Sequence, residues 1–297
     1  MRQLIVLGLV GFAAQLIDGS LGMGYGVTTT TLLLLAGMTP AAASASVHLS
    51  ELGTNIASGI SHWRLRNVDW RVVARIAGPG AIGAFLGATV LSSLSTEAAA
   101  PVMSALLALL GIYILIRFMV GIKPAIKKAI TIKFLAPLGL VAGFVDATGG
   151  GGWGPVATPA LLADGRLQPR KVIGTVDTSE FAVSAAASIG FLIGLGSAGI
   201  NWGFVLALLI GGLIAAPIAA VLVRYAPAHL LGVAVGGTIL LTNSRTLLRT
   251  YEVEPPARYI IYAAILLITI VGLSIASQRA RRRKAEQPSE VEASAEV

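Results

Sequence analysis

The apolar positions of this chain fall in long uninterrupted runs, with little of the alternation expected of elements that bury one face and expose the other. Runs near residues 41–60, 72–92 and 100–121, and again near 170–195, 202–223, 227–248 and 257–277, have the length of bilayer-crossing helices, which take about 20 residues. Two further pairs of runs are shorter and are split by glycine: 3–17 with 23–37, and 134–147 with 152–163. Pieces of about 10 to 15 residues predict re-entrant or broken helices, because irregular backbone at membrane depth survives only inside protein or along a water-filled cavity.

The order of these runs repeats, and so do their residues. "GFAAQLIDGSLGMGYGVTTTTLLLLAG" at 11–37 aligns with "GLVAGFVDATGGGGWGPVATPALLADG" at 139–165, placing Asp18 on Asp146, Gly22 on Gly150, Gly24 on Gly152, Tyr25 on Trp153 and Gly26 on Gly154. After one inserted residue, "PAAASASVHLSELGTN" from Pro40 aligns with "PRKVIGTVDTSEFAVS" from Pro169. His48 then falls on Asp177, Ser50 on Ser179, Glu51 on Glu180 and Asn55 on Ser184. Trp70 and Trp202 open comparable helices further on. The expected organisation is a first transmembrane repeat at 1–125, a second at 126–250, an additional transmembrane helix at 251–278 and a disordered, charged cytoplasmic tail at 279–297. The fold class expected is an all-α polytopic membrane protein with two inverted repeats.

Composition agrees with a membrane protein: 55% of residues are hydrophobic and 12% charged, against about 25% charge in a soluble domain, and the mean hydropathy is +0.82. A net charge of +8 raises the question of nucleic acid. The basic residues lie instead in short loops and in the tail "RARRRK" at 279–284, which points to the lipid bilayer and its cytoplasmic face as the partner. The basic regions are 61–71, 117–133 with Lys123, Lys127, Lys128 and Lys133, 164–171, and the tail. All lie on one side if the C-terminus is cytoplasmic, whereas "GMTPA" at 37–41 and "GSAGIN" at 196–201 carry no charge. Copy one therefore starts outside and copy two inside, in a cell inner membrane. Arg249 and Arg258 run against this assignment and are partly balanced by Glu252 and Glu254. The first apolar run continues into a repeated segment, so it is not read as a cleaved signal peptide. With no cysteine, thiolate chemistry and disulfides are excluded, and neither a cofactor nor a metal is expected.

Broken helices at equivalent positions and buried charge in each repeat are the pattern of a secondary transporter with its site between the repeats. The restarted helices, beginning near Gly26 and Gly154, would aim free N–H groups and about half a positive charge at that site, forming a cradle for a small anion. The expected substrate-binding residues are Gly22, Gly24, Tyr25, Gly26 and Thr28 in copy one, Gly150, Gly151, Gly152, Trp153 and Gly154 in copy two, and Asn55 with Ser184 on the following spans. His48, Glu51 and Asn55 share one helical face at i, i+3, i+7, and Asp177, Glu180 and Ser184 repeat that face. Intramembrane ionisable groups are costly and usually functional, so Asp18, His48, Glu51, Asp146, Asp177 and Glu180 are the candidates for coupling to a proton or cation.

The glycine-rich motif after an aspartate, the "AASASVHLSELGTNIASGISHW" span and the duplicated layout resemble the TauE/SafE family of sulfite exporter-like permeases, over both halves to about residue 248. The resemblance implies transport of a small sulfur-containing oxyanion or organosulfonate, such as sulfite or sulfoacetate, across a bacterial cytoplasmic membrane. The glycine run of copy one is interrupted by Leu21 and Met23.

Other readings stay open at this point. Asp18 and Asp146 also suit simple helix caps, the glycines close helix packing, and the threonines at 28–31 hydroxyls bonded to their own helix. His48 with Glu51, and Glu180 with Ser184, also suit structural pairs. Trp63, Trp70 and Trp202 read as interfacial anchors. A transporter whose carboxylates bind a cation or proton as the main cargo is the first alternative to an anion permease. A membrane-embedded enzyme is disfavoured, because Ser50 and His48 lie on different helical faces, and a scaffold would leave the buried charges without a use. The sequence is compatible with an oligomer.

Overall fold

The computed structural model describes residues 2–120, 131–164, 167–222 and 228–293. Lys123, Lys127, Lys128 and Arg166, counted above as basic loop residues, lie outside them. Among the described residues the chain is helical: α1 (Arg2–Leu21), α2 (Tyr25–Leu35), α3 (Pro40–Arg64), α4 (Trp70–Ser93), α5 (Thr96–Val120), α6 (Ile132–Gly149), α7 (Trp153–Asp164), α8 (Pro169–Leu195), α9 (Trp202–Leu222), α10 (Ala228–Thr250) and α11 (Pro255–Ala293). Seven stretches, within α1, α4, α5, α6, α8, α9 and α11, are long and apolar enough to cross a membrane. The 25-residue α3 has the length too, but it carries a row of polar residues, most of them turned inward.

Two expectations change. The apolar runs are expected to end at residues 17 and 147, yet α1 continues through Asp18 to Leu21 and α6 through Asp146 to Gly149. The carboxylates do not interrupt their own helices, because they turn back to accept N–H groups of the next ones. Only α2 and α7 are therefore short, with 11 and 12 residues. The helical backbone of α11 also continues past Gln278 to Ala293, where an unfolded tail is expected from composition.

The packing has an exchange pattern that fits a duplicated chain. Helix α1 packs on α9 as α6 packs on α4, α3 on α9 as α8 on α4, and the equivalents α3 with α8 and α5 with α10 pack on each other. The close approach of α6 to α4 depends on Gly143, where a Cβ would run into the backbone of Gly80; Gly211 of α9 stands in the same relation to Gly8 of α1. Helices α3 and α8 run antiparallel: His62, near the end of α3, lies beside Asp177 in the first half of α8, and His48, near the start of α3, stacks on Phe191 near the end of α8. Equivalent helices in opposite directions are what an inverted repeat requires. Large apolar side chains such as Leu9, Ile193 and Tyr259 face outward, whereas Asp18, Glu51, Asp146 and Asp177 are buried, the reverse of a soluble domain. Trp63, Trp70 and Trp202 stand exposed at or near helix ends, as anchors would.

Candidate functional site

The chain between α1 and α2 turns through Gly22 and Gly24, at φ 69° and 128°, and that between α6 and α7 through Gly150 and Gly151, at 70° and 144°. These are backbone conformations that glycine adopts without steric cost. Each turn lets the preceding aspartate cap the restarted helix. Asp18 Oδ1 accepts the Tyr25 N–H at 3.3 Å, and Asp146 Oδ1 accepts the N–H groups of Gly152 at 2.7 Å and Trp153 at 3.0 Å. The two turns then meet each other. Thr30 donates its hydroxyl to the Gly150 carbonyl, and its equivalent Thr158 donates to the Gly22 carbonyl. A Cβ on Gly154 would lie 2.7 Å from Met23 Cα, and one on Gly26 3.1 Å from the Gly150 carbonyl oxygen. The expected cradle is thus built from backbone in contact, with some of its N–H donors already committed to carboxylates.

The ionisable groups gather beside these turns at the α3–α8 contact. His48 Nδ1 lies 2.9 Å from Glu51 Oε2 and 3.8 Å from Asp146 Oδ2. Ser184 donates to the same Glu51 oxygen at 3.0 Å, and Asn55 Nδ2 donates to Ser184 Oγ at 3.4 Å. On the other side of this pair, carboxylate oxygens of Asp18, Asp177 and Glu180 lie within 4.8 Å of one another. The duplication relates the two groups: Asp146, His48 and Glu51 correspond to Asp18, Asp177 and Glu180. Each set joins an aspartate from one repeat to two residues of the following helix of the other. Two imidazoles are buried with the acids, His48 and His62, and no buried Lys or Arg occurs among the described residues.

Several polar atoms here are buried without a hydrogen-bond partner, among them Glu51 Oε1, Asp146 Oδ2, Asp177 Oδ1 and His48 Nε2. Unpaired buried polar atoms are expensive, so a site lined with them is suited to a polar or charged guest. A cavity of about 350 Å³ between α3, α4 and α8 has Asn55, Gly59, Trp70 and Ser179 in its wall and approaches the cluster from one side.

Not every expected residue joins this site. Thr28 lines a separate apolar cavity of about 250 Å³ between α2 and α10, with Thr31 and Thr238. Tyr25 is buried and its hydroxyl meets Ser50 Oγ at 2.9 Å, and Trp153 is buried with Nε1 donating to the Val176 carbonyl at 3.0 Å. Of the threonines, Thr29 bonds its own helix at Tyr25, whereas Thr30 reaches across to the other repeat. Sequence reasoning missed Ser58, which donates to Asp177 Oδ2, and His62, whose Nε2 stands 3.6 Å from that oxygen. The spacing of His62 held a signal: it follows Asn55 by seven residues and therefore continues the face of His48 and Glu51.

Comparison with known proteins accords with this architecture. The profile of the family described as "Sulfite exporter TauE/SafE" matches residues 7–246. "Probable membrane transporter protein YtnM" of Bacillus subtilis (strain 168) is 54% identical over 268 residues, covering 89% of each chain. "Probable membrane transporter protein YdhB" of the same organism is 26% identical over 188 residues, which is 62% of this chain and 77% of that one. A "Probable membrane transporter protein" of Haemophilus influenzae is 26% identical over 191 residues, 64% of this chain and 74% of its own. No solved structure matches. With the family profile matching residues 7–246 and 54% of the 268 aligned residues identical in the relative, this multi-pass membrane protein belongs to the TauE/SafE family of membrane transporters.

Proposed function

We propose that the protein is a proton-coupled secondary transporter for a small sulfur-containing oxyanion or organosulfonate, working by alternating access of the two repeats around the α3–α8 contact. The substrate class comes from the family description, which names sulfite. The observation that carries the coupling is the burial of Asp18, Glu51, Asp146, Asp177 and Glu180 together with only two imidazoles. So many carboxylates in low dielectric need protons or cations for company. A protonated carboxyl is also a hydrogen-bond donor, so the groups that carry the proton can offer donors to an oxyanion that meets no buried Lys or Arg among the described residues. Helix starts at α2 and α7 add positive dipole ends.

In the cycle proposed, Glu51, Asp177 and Glu180 exchange protons as the repeats rock, while the Gly22–Gly26 and Gly150–Gly154 turns hold the substrate. The loop Leu65–Asp69, with Arg64 and Arg66, faces the cytoplasm in an inner membrane, and so does the C-terminus.

The closeness of Asp18, Asp177 and Glu180 favours a second reading, in which a cation is the cargo. Proteoliposomes separate the two. Uptake of ³⁵S-labelled sulfite or sulfoacetate that follows an imposed pH gradient supports the anion permease. Uptake of ²²Na⁺ with no response to either anion overturns it in favour of the cation.

A further inference from the structure

His62 is absent from the scheme above, although it is fully buried and touches the carboxylate cluster. Its surroundings set its chemistry. Asn67, in the loop between α3 and α4, is also buried, and its backbone N–H donates to the His62 carbonyl at 2.8 Å. Asn67 Nδ2 lies 3.2 Å from His62 Nδ1, an arrangement in which the amide donates and the ring nitrogen accepts. The ring hydrogen then sits on Nε2, which faces Asp177 Oδ2 at 3.6 Å and makes no hydrogen bond. Asn67 Oδ1 is likewise without a partner. The order of groups from the loop inward is therefore Asn67, His62, Asp177.

The other repeat provides an internal comparison. The alignment that places His48 on Asp177 and Asn55 on Ser184 is carried along two unbroken helices, and it places His62 on Phe191. The contacts obey it: His62 lies against Asp177, and Phe191 stacks on His48 with ring centroids 6.0 Å apart and planes 16° from parallel. Two equivalent doors thus flank the cluster at opposite ends of the α3–α8 contact. One is made of an imidazole, which can take up and release a proton. The other is made of a hydrocarbon ring, which cannot.

We propose that His62 is the proton door of this transporter, joining Asp177 to the face that carries the loop Leu65–Asp69, and that Phe191 closes the corresponding route at the opposite face. The assignment rests on the proton-coupled reading of the same site. One proton arrives from the loop side at His62 Nδ1, and the Asn67 amide turns to present Oδ1 to the new N–H. The Nε2 hydrogen passes to Asp177 Oδ2, leaving a neutral ring with its hydrogen on Nδ1; the reverse sequence carries a proton out. Asp177 is faced by Asp18 from α1, Glu51 and His62 from α3 and Glu180 from α8; His48 from α3 and Asp146 from α6 belong to the neighbouring group around Glu51. His62 therefore acts through Asp177 as a positioning and relay residue and does not bind the anion.

The test is a pH jump on the purified full chain, following the infrared carbonyl band of protonated Asp177, identified by its loss in Asp177→Asn. His62→Phe copies the residue found at the equivalent place and should slow the appearance of the band at least tenfold without changing its final size. His62→Gln keeps an acceptor for Asn67 but carries no proton; it should slow the band equally and serves if the phenylalanine variant fails to fold. Band kinetics in both variants as fast as in the parent would overturn the proposal. Sulfite flux in proteoliposomes then distinguishes the two levels. A slowed band with unaltered pH-driven flux keeps the door and removes proton coupling from the proposed function. Loss of pH-driven flux with retained sulfite exchange supports both.

Discussion

Asn55 and Ser184 occupy equivalent positions in the two repeats, and they touch each other, the Asn55 amide donating to Ser184 Oγ at 3.4 Å. Residues related by a twofold axis can meet only on that axis. Under the twofold relation that an inverted repeat implies, this pair marks the centre, with the group around Glu51 and the group around Asp177 related across it.

If that centre is a true pseudo-axis, the pair should tolerate exchange. Asn55→Ser and Ser184→Asn alone should each lower thermal stability, by about 1 kcal/mol for a lost or misplaced hydrogen bond. The double variant should recover most of the loss, because each side chain is restored to an equivalent site. Additive losses in melting experiments would mean that the two positions differ in more than their side chains.

The crossed threonine bonds predict matched costs. Thr30→Val and Thr158→Val keep side-chain shape but leave the Gly150 and Gly22 carbonyls, respectively, without that donor. Each should destabilise the protein by about 1–3 kcal/mol, the usual penalty for an unsatisfied buried group. Thermal unfolding in detergent would show it. Loss in only one variant would indicate that a single turn holds the two repeats together.

Glycine is needed at Gly26 for space and at Gly37 only for conformation. A Cβ on Gly26 would press on the backbone of Gly150 and Gly151, whereas Gly37, at φ 88°, has nothing within 4 Å of that position. Gly26→Ala should cost at least about 3 kcal/mol or prevent folding, from overpacking against backbone that cannot retreat. Gly37→Ala should cost about 1 kcal/mol, the strain of a left-handed residue. Relative yield and melting temperature of the two variants check the difference.

Glu180 sits with Asp18 and Asp177, and in the proposed cycle it exchanges a proton. Glu180→Gln should flatten the dependence of sulfite flux on an imposed pH gradient by tenfold or more while leaving sulfite exchange measurable. The same gradient dependence as in the parent would take Glu180 out of the coupling role.

Much of this architecture is legible without coordinates, because its causes are local. A bilayer imposes a length and an apolar composition on each crossing, so five of the seven spans, α4, α5, α8, α9 and α11, can be read from hydropathy, whereas α1 and α6 read as short pieces. The run at 227–248 forms α10 without being one of the seven, and duplication shows α3 as the partner of α8 despite its polar content. The glycine turns at Gly22–Gly26 and Gly150–Gly154 announce themselves because only glycine adopts their backbone angles freely. The alignment of the halves even pairs Asp18 with Asp146 and Asn55 with Ser184.

What each group touches is decided by packing between segments far apart in the chain. Asp18 and Asp146 already suit helix caps in the sequence, but only the folded turn decides for that reading and shows that each carboxylate lets its own helix continue. Thr28 carries the right chemistry for the site and stands beside another cavity, since a helix of 11 residues presents several faces to different neighbours. His62 looks in sequence like one more residue in a basic loop region, and becomes a neighbour of Asp177 because α3 and α8 run antiparallel. Local composition determined that this chain enters a membrane as two copies of one unit; the contact between the copies decided which of its charges share a site.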